Sequence, residues 1–431
     1  MIKWRQMYMK RSMMIAVFVA TAAGLQAQTS LDNCQKAAIA NYPLIKKYDM
    51  IARSVDYSVS NLGKGWLPQV SATAQVTLQN RVAALPDALA GMMRQNGYTV
   101  EGLKKDQYKI GVDVNQMLFD GGTIRNQKSV ARLQGEVQGA QTDVDMYAVR
   151  GRVNELYFGV LLLDEQLRLN ADLQTVLSSS EKKLSAMYNR GVAAESDLNN
   201  VRAEQLNARQ QQTSLQSLRR SYLLMLSSFC GKDIDGVVKP ASTVMPEGND
   251  RPELKLVETQ LRLASSQEKL LVSNLLPKLS VFASGYYGYP GYDMFHDMMS
   301  REFTLNGLIG ARLTWNIGSL YTHRNDKAKV RLQREQAENN RDIFLFNNRL
   351  EQIRGQETIS RYRKLMTDDE QIISLRSQIR KSAEAKLAHG IIDVNDLVKE
   401  INAENAAKIQ CSSHEIEMLK ALYDLKYTVN K

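Results

Sequence analysis

Proline, histidine, cysteine and long apolar runs are all scarce in this 431-residue chain, and each shortage narrows what it can be. The prolines stand only at 43, 68, 86, 240, 246, 252, 277 and 290, which leaves two long stretches free of the strongest helix breaker. Both stretches are rich in Gln, Glu, Arg, Leu and Ala, residues that favour helix. His296, His323, His389 and His414 lie far apart, with no ligand spacing to cysteine or carboxylate. Phosphate-binding glycine loops and nucleophile motifs are missing too, so the expectation is no enzyme, no metal and no cofactor. After the N-terminus no run approaches the about 20 apolar residues that a membrane-spanning helix needs.

The N-terminus has the pattern of a secretory signal peptide over residues 1–27. Lys3, Arg5, Lys10 and Arg11 precede the apolar run Met13 to Ala23, and Leu25-Gln26-Ala27 offers a small residue for cleavage. Removing it takes four basic and no acidic residues, so the formal charge falls from +10 to about +6. No basic patch is interleaved with aromatics, and nucleic acid is not an expected partner. Cys34, Cys230 and Cys411 remain, an odd number for an exported chain. They are either small buried residues on helices, or one disulfide with a free thiol. Leu31-Asp32-Asn33 before Cys34 argues against lipid attachment there.

The organising stretch is Thr123 to Phe229. Val130, Leu133, Val137, Ala140, Val144 and Tyr147 recur at 3-4-3-4-3 spacing, and the series resumes at Val149, Val153, Leu156, Val160, Leu163 and Leu167, a coiled-coil seam. It halts at Gly191, and a second helix begins with Ser196 as the expected N-cap and Asp197 in its first turn. An antiparallel hairpin results, whose first arm at about 1.5 Å per residue is roughly 100 Å long. Before it, short helices flank Pro43, and Val70, Ala72, Ala74, Val76 and Leu78 alternate with polar residues as a strand. A loop over residues 83–106, helical around Ala88 to Met93, leads to a second strand with Ile110, Val112, Val114 and Leu118 on one face. Phe119-Asp120-Gly121-Gly122 turns the chain into the hairpin.

After a connector over 231–251 the pattern repeats. Leu276-Pro277-Lys278-Leu279-Ser280 echoes Leu67-Pro68-Gln69-Val70-Ser71. A strand with Leu279, Val281, Ala283, Tyr287 and Tyr289 follows, then one with Phe303, Leu305, Ile309, Ala311, Leu313 and Trp315. Ile343, Phe346, Leu350, Ile353 and later Ile372, Leu375, Ile379 mark a second seam, with its tip at Gly390. Asp396-Leu397 follows Asp197-Leu198 by 199 residues, the same offset that separates the tip glycines. The chain thus divides into a leader, a first repeat over 28–230, the connector, and a second repeat over 252–431.

Four strands of membrane-spanning length in an exported chain point to an outer membrane. They cannot sit in lipid alone, because an open sheet edge leaves backbone N–H and C=O groups unpaired. Two copies would give eight strands and a filled barrel; three give twelve and a lumen. Ser71, Thr73, Gln75 and Asp113 are available for a wet interior, and Trp66 and Trp315 for an aromatic girdle at one end.

The leader, the doubled strand-strand-helix-helix order, Phe119-Asp120-Gly121-Gly122, the two Gly…Asp-Leu tips and Arg251-Pro252-Glu253-Leu254 resemble the TolC-type outer-membrane efflux proteins. The resemblance covers the whole chain after the leader. It implies a mixed α and β membrane protein: a homotrimer with a twelve-stranded β-barrel in outer-membrane lipid, continuous with a long periplasmic α-helical coiled-coil tunnel. It also implies the exit channel of a tripartite efflux or type I secretion system, served by a periplasmic adaptor and an inner-membrane transporter. Adaptor docking is expected at Arg190, Gly191, Asp197, Leu198, His389, Gly390 and Leu397, and a periplasmic constriction at Asp393, Asp396 and Lys399. Lys399 stands where a second carboxylate can occur, and Leu387 and Ile392 where polar latch residues can, so the gate should differ in detail. Lys399 should partly neutralise Asp396 from the same helix face. The alternative class is a non-channel periplasmic coiled-coil adaptor or surface fibre, although an adaptor should show one hairpin flanked by small β-rich domains.

Overall fold

The computed structural model describes residues 29–242 and 248–430; the leader expected over 1–27 lies outside them. The chain packs as two units that cut across the two repeats. One takes the chain up to Pro43 with Tyr147–Asn249 and the chain from Leu350 onward, and the other takes Leu44–Met146 with Asp250–Arg349.

The second of these units holds the sheet. Its strands are β1 (Gln69–Leu78), β2 (Asp106–Phe119), β3 (Lys278–Tyr289) and β4 (Thr304–Thr314), all antiparallel neighbours in chain order. The repeats are therefore not packing units, because β2 of the first pairs along its length with β3 of the second. In β2 a bulge between Met117 and Phe119 brings Phe119, not Leu118, opposite Leu279. Simple alternation assigned Leu118 to the apolar row, and an extra residue in one strand shifts that count.

Short helices α1 (Leu31–Asn41) and α2 (Lys46–Gly63) precede the sheet. Helix α3 (Asp87–Gln95) occupies the expected place between β1 and β2. Asp120 starts helix α4 (Thr123–Asn189), its carboxylate accepting from the N–H groups of Gly122 at 2.8 Å and Ile124 at 2.6 Å. Buried Asp120 thus satisfies donors that a helix start leaves free. Helix α5 (Glu195–Cys230) is the return arm. Pro252 is the first residue of α6 (Pro252–Ser273), where its missing N–H costs nothing, and Arg251 reaches Glu253 at 2.9 Å. The 3.6-residue period did not reveal α7 (Met294–Ser300), which sits between β3 and β4; it is only seven residues long. Its Met298 packs with Val100, Leu103 and Tyr289, and buried Asp297 accepts from the Gly291 N–H at 2.6 Å.

The remaining unit is helical. Val149, Val153, Tyr157 and Val160 of α4 bury against Leu223 and Leu226 of α5, against α1, and against Ile416, Leu419 and Leu422. The last three belong to helix α9 (Val394–Val429), the return arm from α8 (Ser319–Ala388). All three cysteines are free thiols; Cys34 and Cys230 are buried in this core, with the Cys230 thiol donating to the Cys34 carbonyl at 3.4 Å.

Candidate functional site

The register sorts the sheet into two chemically distinct faces. Ala74, Ile110, Tyr287 and Leu305 form one cross-strand row, and Val70, Val114, Ala283 and Ile309 another. This face is apolar from Val70 to Val76 and across to β4, with Asp106 opposite Leu78 at its far end, and it is bare on the outer strands, with Leu305 83% and Ile309 81% exposed. A contiguous apolar face of that kind is unstable in water and stable against hydrocarbon. Gln116 has the parity of this face, but its side chain amide donates to the carbonyls of Trp66 at 2.7 Å and Met117 at 3.0 Å, so no donor is left idle. The opposite face carries Ser71 and Asp113 in one row and Gln75 and Lys109 in another, interrupted by Phe282, Tyr286 and Leu308.

Aromatics mark both ends of the strands. Trp66 and Trp315 lie at the end next to the long helices, where the Trp315 indole donates to the Leu275 carbonyl at 2.9 Å. At the other end Phe303 lies against Tyr287 (centroids 5.9 Å apart) and Tyr108 (6.3 Å). Rings that are apolar with a polar edge settle at the two interfaces of a bilayer. Among the described residues, the outer sides of β1 and β4 have no strand beside them.

The two hairpin tips share a backbone. Gly191 (φ +71°) and Gly390 (φ +68°) are left-handed, and the N–H groups of Val192 and Ile391 each donate at 2.9 Å to the carbonyl five residues back, Met187 and Lys386. Both helices therefore end in the same glycine-closed motif. Ser196 is not the cap of α5: Ala194 holds that position, and the Asp197 carboxylate reaches back to its N–H at 3.1 Å. At the second tip Asp393 caps α9, accepting from the Asp396 N–H at 2.9 Å. Asp396 and Lys399 are both exposed, and among the described residues they form no ion pair with each other. Arg190, Gly191, His389 and Gly390 are exposed and Asp197 is half-buried. Leu198 and Leu397 are buried instead. Leu198 packs with Leu184, Val201 and Val394, and Leu397 with Leu177 and Ile401, so the two leucines hold the hairpins together. Leu387 and Ile392 join these apolar clusters.

A charged cluster behind the second tip escaped the sequence reading. Glu404, buried, accepts from Arg380 across the hairpin and from Lys408 at 2.9 Å; Arg380 also bonds Glu384, and Arg376 reaches Glu400 at 3.4 Å. Burial pushes the Glu404 carboxyl upward, but its hydrogen bonds from Lys408 and Arg380 outweigh that and hold it below the usual range. The signal that could have found it is the 199-residue offset, which maps Arg380 and Glu404 onto Glu181 and Gln205. Those two are also joined, Gln205 donating to Glu181 at 3.1 Å.

Residues 34–232 match the model of the family described as outer membrane efflux protein. No curated protein sequence matches. Among solved structures, the outer-membrane channel OprN is 14% identical with a TM-score of 0.66, covering 93% of this chain and 89% of that one. The CmeC outer membrane channel of Campylobacter jejuni is 13% identical with a TM-score of 0.63, covering 96% and 93%. CusC, a transmembrane channel protein, is 11% identical with a TM-score of 0.68, covering 95% of each chain. At such identities these structures establish the fold.

Proposed function

We propose that this chain, whose residues 34–232 match the outer membrane efflux protein family, is an efflux-type channel of the outer membrane with a periplasmic domain, and that three copies close into one duct. Proteins of this family are channels and not enzymes. The observation that carries the proposal is the sheet: one face apolar and bare, the other polar, and two edges that need strands. Three copies supply twelve strands, enough for a water-filled lumen behind the polar face. A second observation agrees. Ile343, Phe346, Leu350, Ile353, Ile372 and Leu375 on α8 keep coiled-coil spacing yet are all exposed, a seam that no other described residue of the chain covers.

In this reading the helices form the periplasmic tunnel, and its constriction lies at the second tip, where Asp393, Asp396 and Lys399 are exposed. An inner-membrane transporter delivers cargo through a periplasmic adaptor, which docks on Arg190, Gly191, His389 and Gly390. A fibre or an adaptor has no use for a bare apolar sheet face. Electrophoresis of the detergent-extracted protein without heating should give a trimer-sized band that boiling collapses to the monomer; a monomer in both lanes overturns the proposal. Gly390→Pro should keep that band and lose export, and normal export would remove the second tip from docking.

A further inference from the structure

We propose that the polar face of the sheet is a positively charged wall that favours anionic cargo, with Lys109 and Arg312 as its fixed charges. This rests on the reading that the face lines the lumen. Across the four strands that face carries Lys109, Lys278 and Arg312 against Asp113 alone, a surplus of two positive charges per chain. Among the described residues none of the four takes part in an ion pair, so the surplus is not neutralised within the chain.

Two of the cations are held in place by the rings that interrupt the polar face. The Arg312 guanidinium lies 4.7 Å from the centroid of Phe282, and the Lys109 ammonium 4.9 Å from that of Tyr286. The outer edge of the Phe282 ring lies over Gly310, where a Cβ would meet it at 2.8 Å, so glycine leaves the ring its room beside the strand. Tyr286 is tied down by its hydroxyl, which donates to the Pro290 carbonyl at 3.2 Å. The aromatic faces thus serve as seats: they attract the cations and restrict where two long side chains place their charge. In a closed sheet the surplus is repeated in every copy around a lumen with low-dielectric walls. Such geometry focuses the field, so anions concentrate there and cations are depleted. The tip carboxylates Asp393 and Asp396 carry the sign opposite to that of this wall.

Thr73→Cys, at mid-strand on the same face, tests this in the full-length protein in lipid vesicles. The probes are an anionic (sulfonatoethyl) and a cationic (trimethylammonioethyl) methanethiosulfonate, with the unsubstituted protein as the blank for Cys34, Cys230 and Cys411. With rates scaled to a free thiol, the anionic reagent should react faster than the cationic one. Lys109→Gln with Arg312→Gln should lower that ratio about tenfold, while Lys109→Arg with Arg312→Lys should keep it. Should the double variant fail to assemble, Arg312→Gln alone should lower the ratio in the same direction. A reactive introduced thiol whose ratio ignores these charges overturns the inference and leaves the lumen reading intact. An introduced thiol that reacts with neither reagent overturns both.

Discussion

The two long arms, α4 and α8, carry the same apolar period and meet different fates. In α4 the seam is covered by the chain's own helices, with Val153 and Val160 fully buried. In α8 it is bare: Phe346 is 65% and Leu375 58% exposed. A seam period reports that something must cover a helix face, not which chain supplies the cover. The tips repeat the lesson in polar chemistry. At one offset the first hairpin places Leu177 and Val201, both fully buried, where the second places the ion pair Arg376–Glu400. The first is closed by apolar packing at that level, the second by charge.

The largest expected effect comes from placing a carboxylate on each seam. Val153→Asp buries an unpaired charge and should cost several kcal/mol, enough to prevent folding. Phe346→Asp should leave the helical circular dichroism unchanged while the trimer-sized band disappears. If Phe346→Asp still assembles, the bare stripe of α8 is not an interface.

Acid separates the hairpins next. Because the folded Glu404 carboxyl titrates below its unfolded value of about 4.3, its contribution is fully present above that pH and is lost as pH falls through the folded pKa. Amide protection factors, scaled to the intrinsic exchange rate at each pH, should therefore fall around Arg380 and Glu404 on going to about pH 3 more than around Leu177 and Val201. Glu404→Gln should remove the difference, and an equal loss of protection in both hairpins would show that the buried ion cluster does not set acid sensitivity.

The smallest effect concerns the proposed constriction. In the proposed trimer three copies of Asp396 would form a ring that favours cations, and Lys399, where the first tip has Asn200, would oppose it. In planar bilayers with asymmetric salt, Asp396→Ala should shift the reversal potential toward anions, and Lys399→Asp toward cations. Unchanged potentials in both would place these residues outside the constriction and leave Asp396 as a first-turn helix residue.

Much was legible because it depends on local rules. Strand alternation put Ser71, Thr73 and Gln75 on one face and Val70, Ala72 and Ala74 on the other, and the register keeps them there. Tip glycines were legible because a helix stop in the left-handed region favours glycine. Errors arose where a neighbour decided the matter. Ser196 gave way to Ala194 because Asp197 supplies the reciprocal bond to the cap, and Leu198 and Leu397 turned inward because a facing hairpin offered them apolar partners. The Arg380–Glu404 contact joins residues on different helices, and no periodicity along one helix announces it.

The long helices, the four strands, the sidedness of the sheet and the tip backbones could be read from the sequence, α7 and the bulge at Leu118 excepted, since they follow from steric preference and apolar spacing within a dozen residues. Only the tertiary structure decided which seam the chain covers for itself, which charges bury together, and that rings across Gly310 and beside Lys109 seat cations on the polar face. Those outcomes depend on side chains far apart in sequence meeting within a few ångströms, where packing and desolvation outweigh local preference.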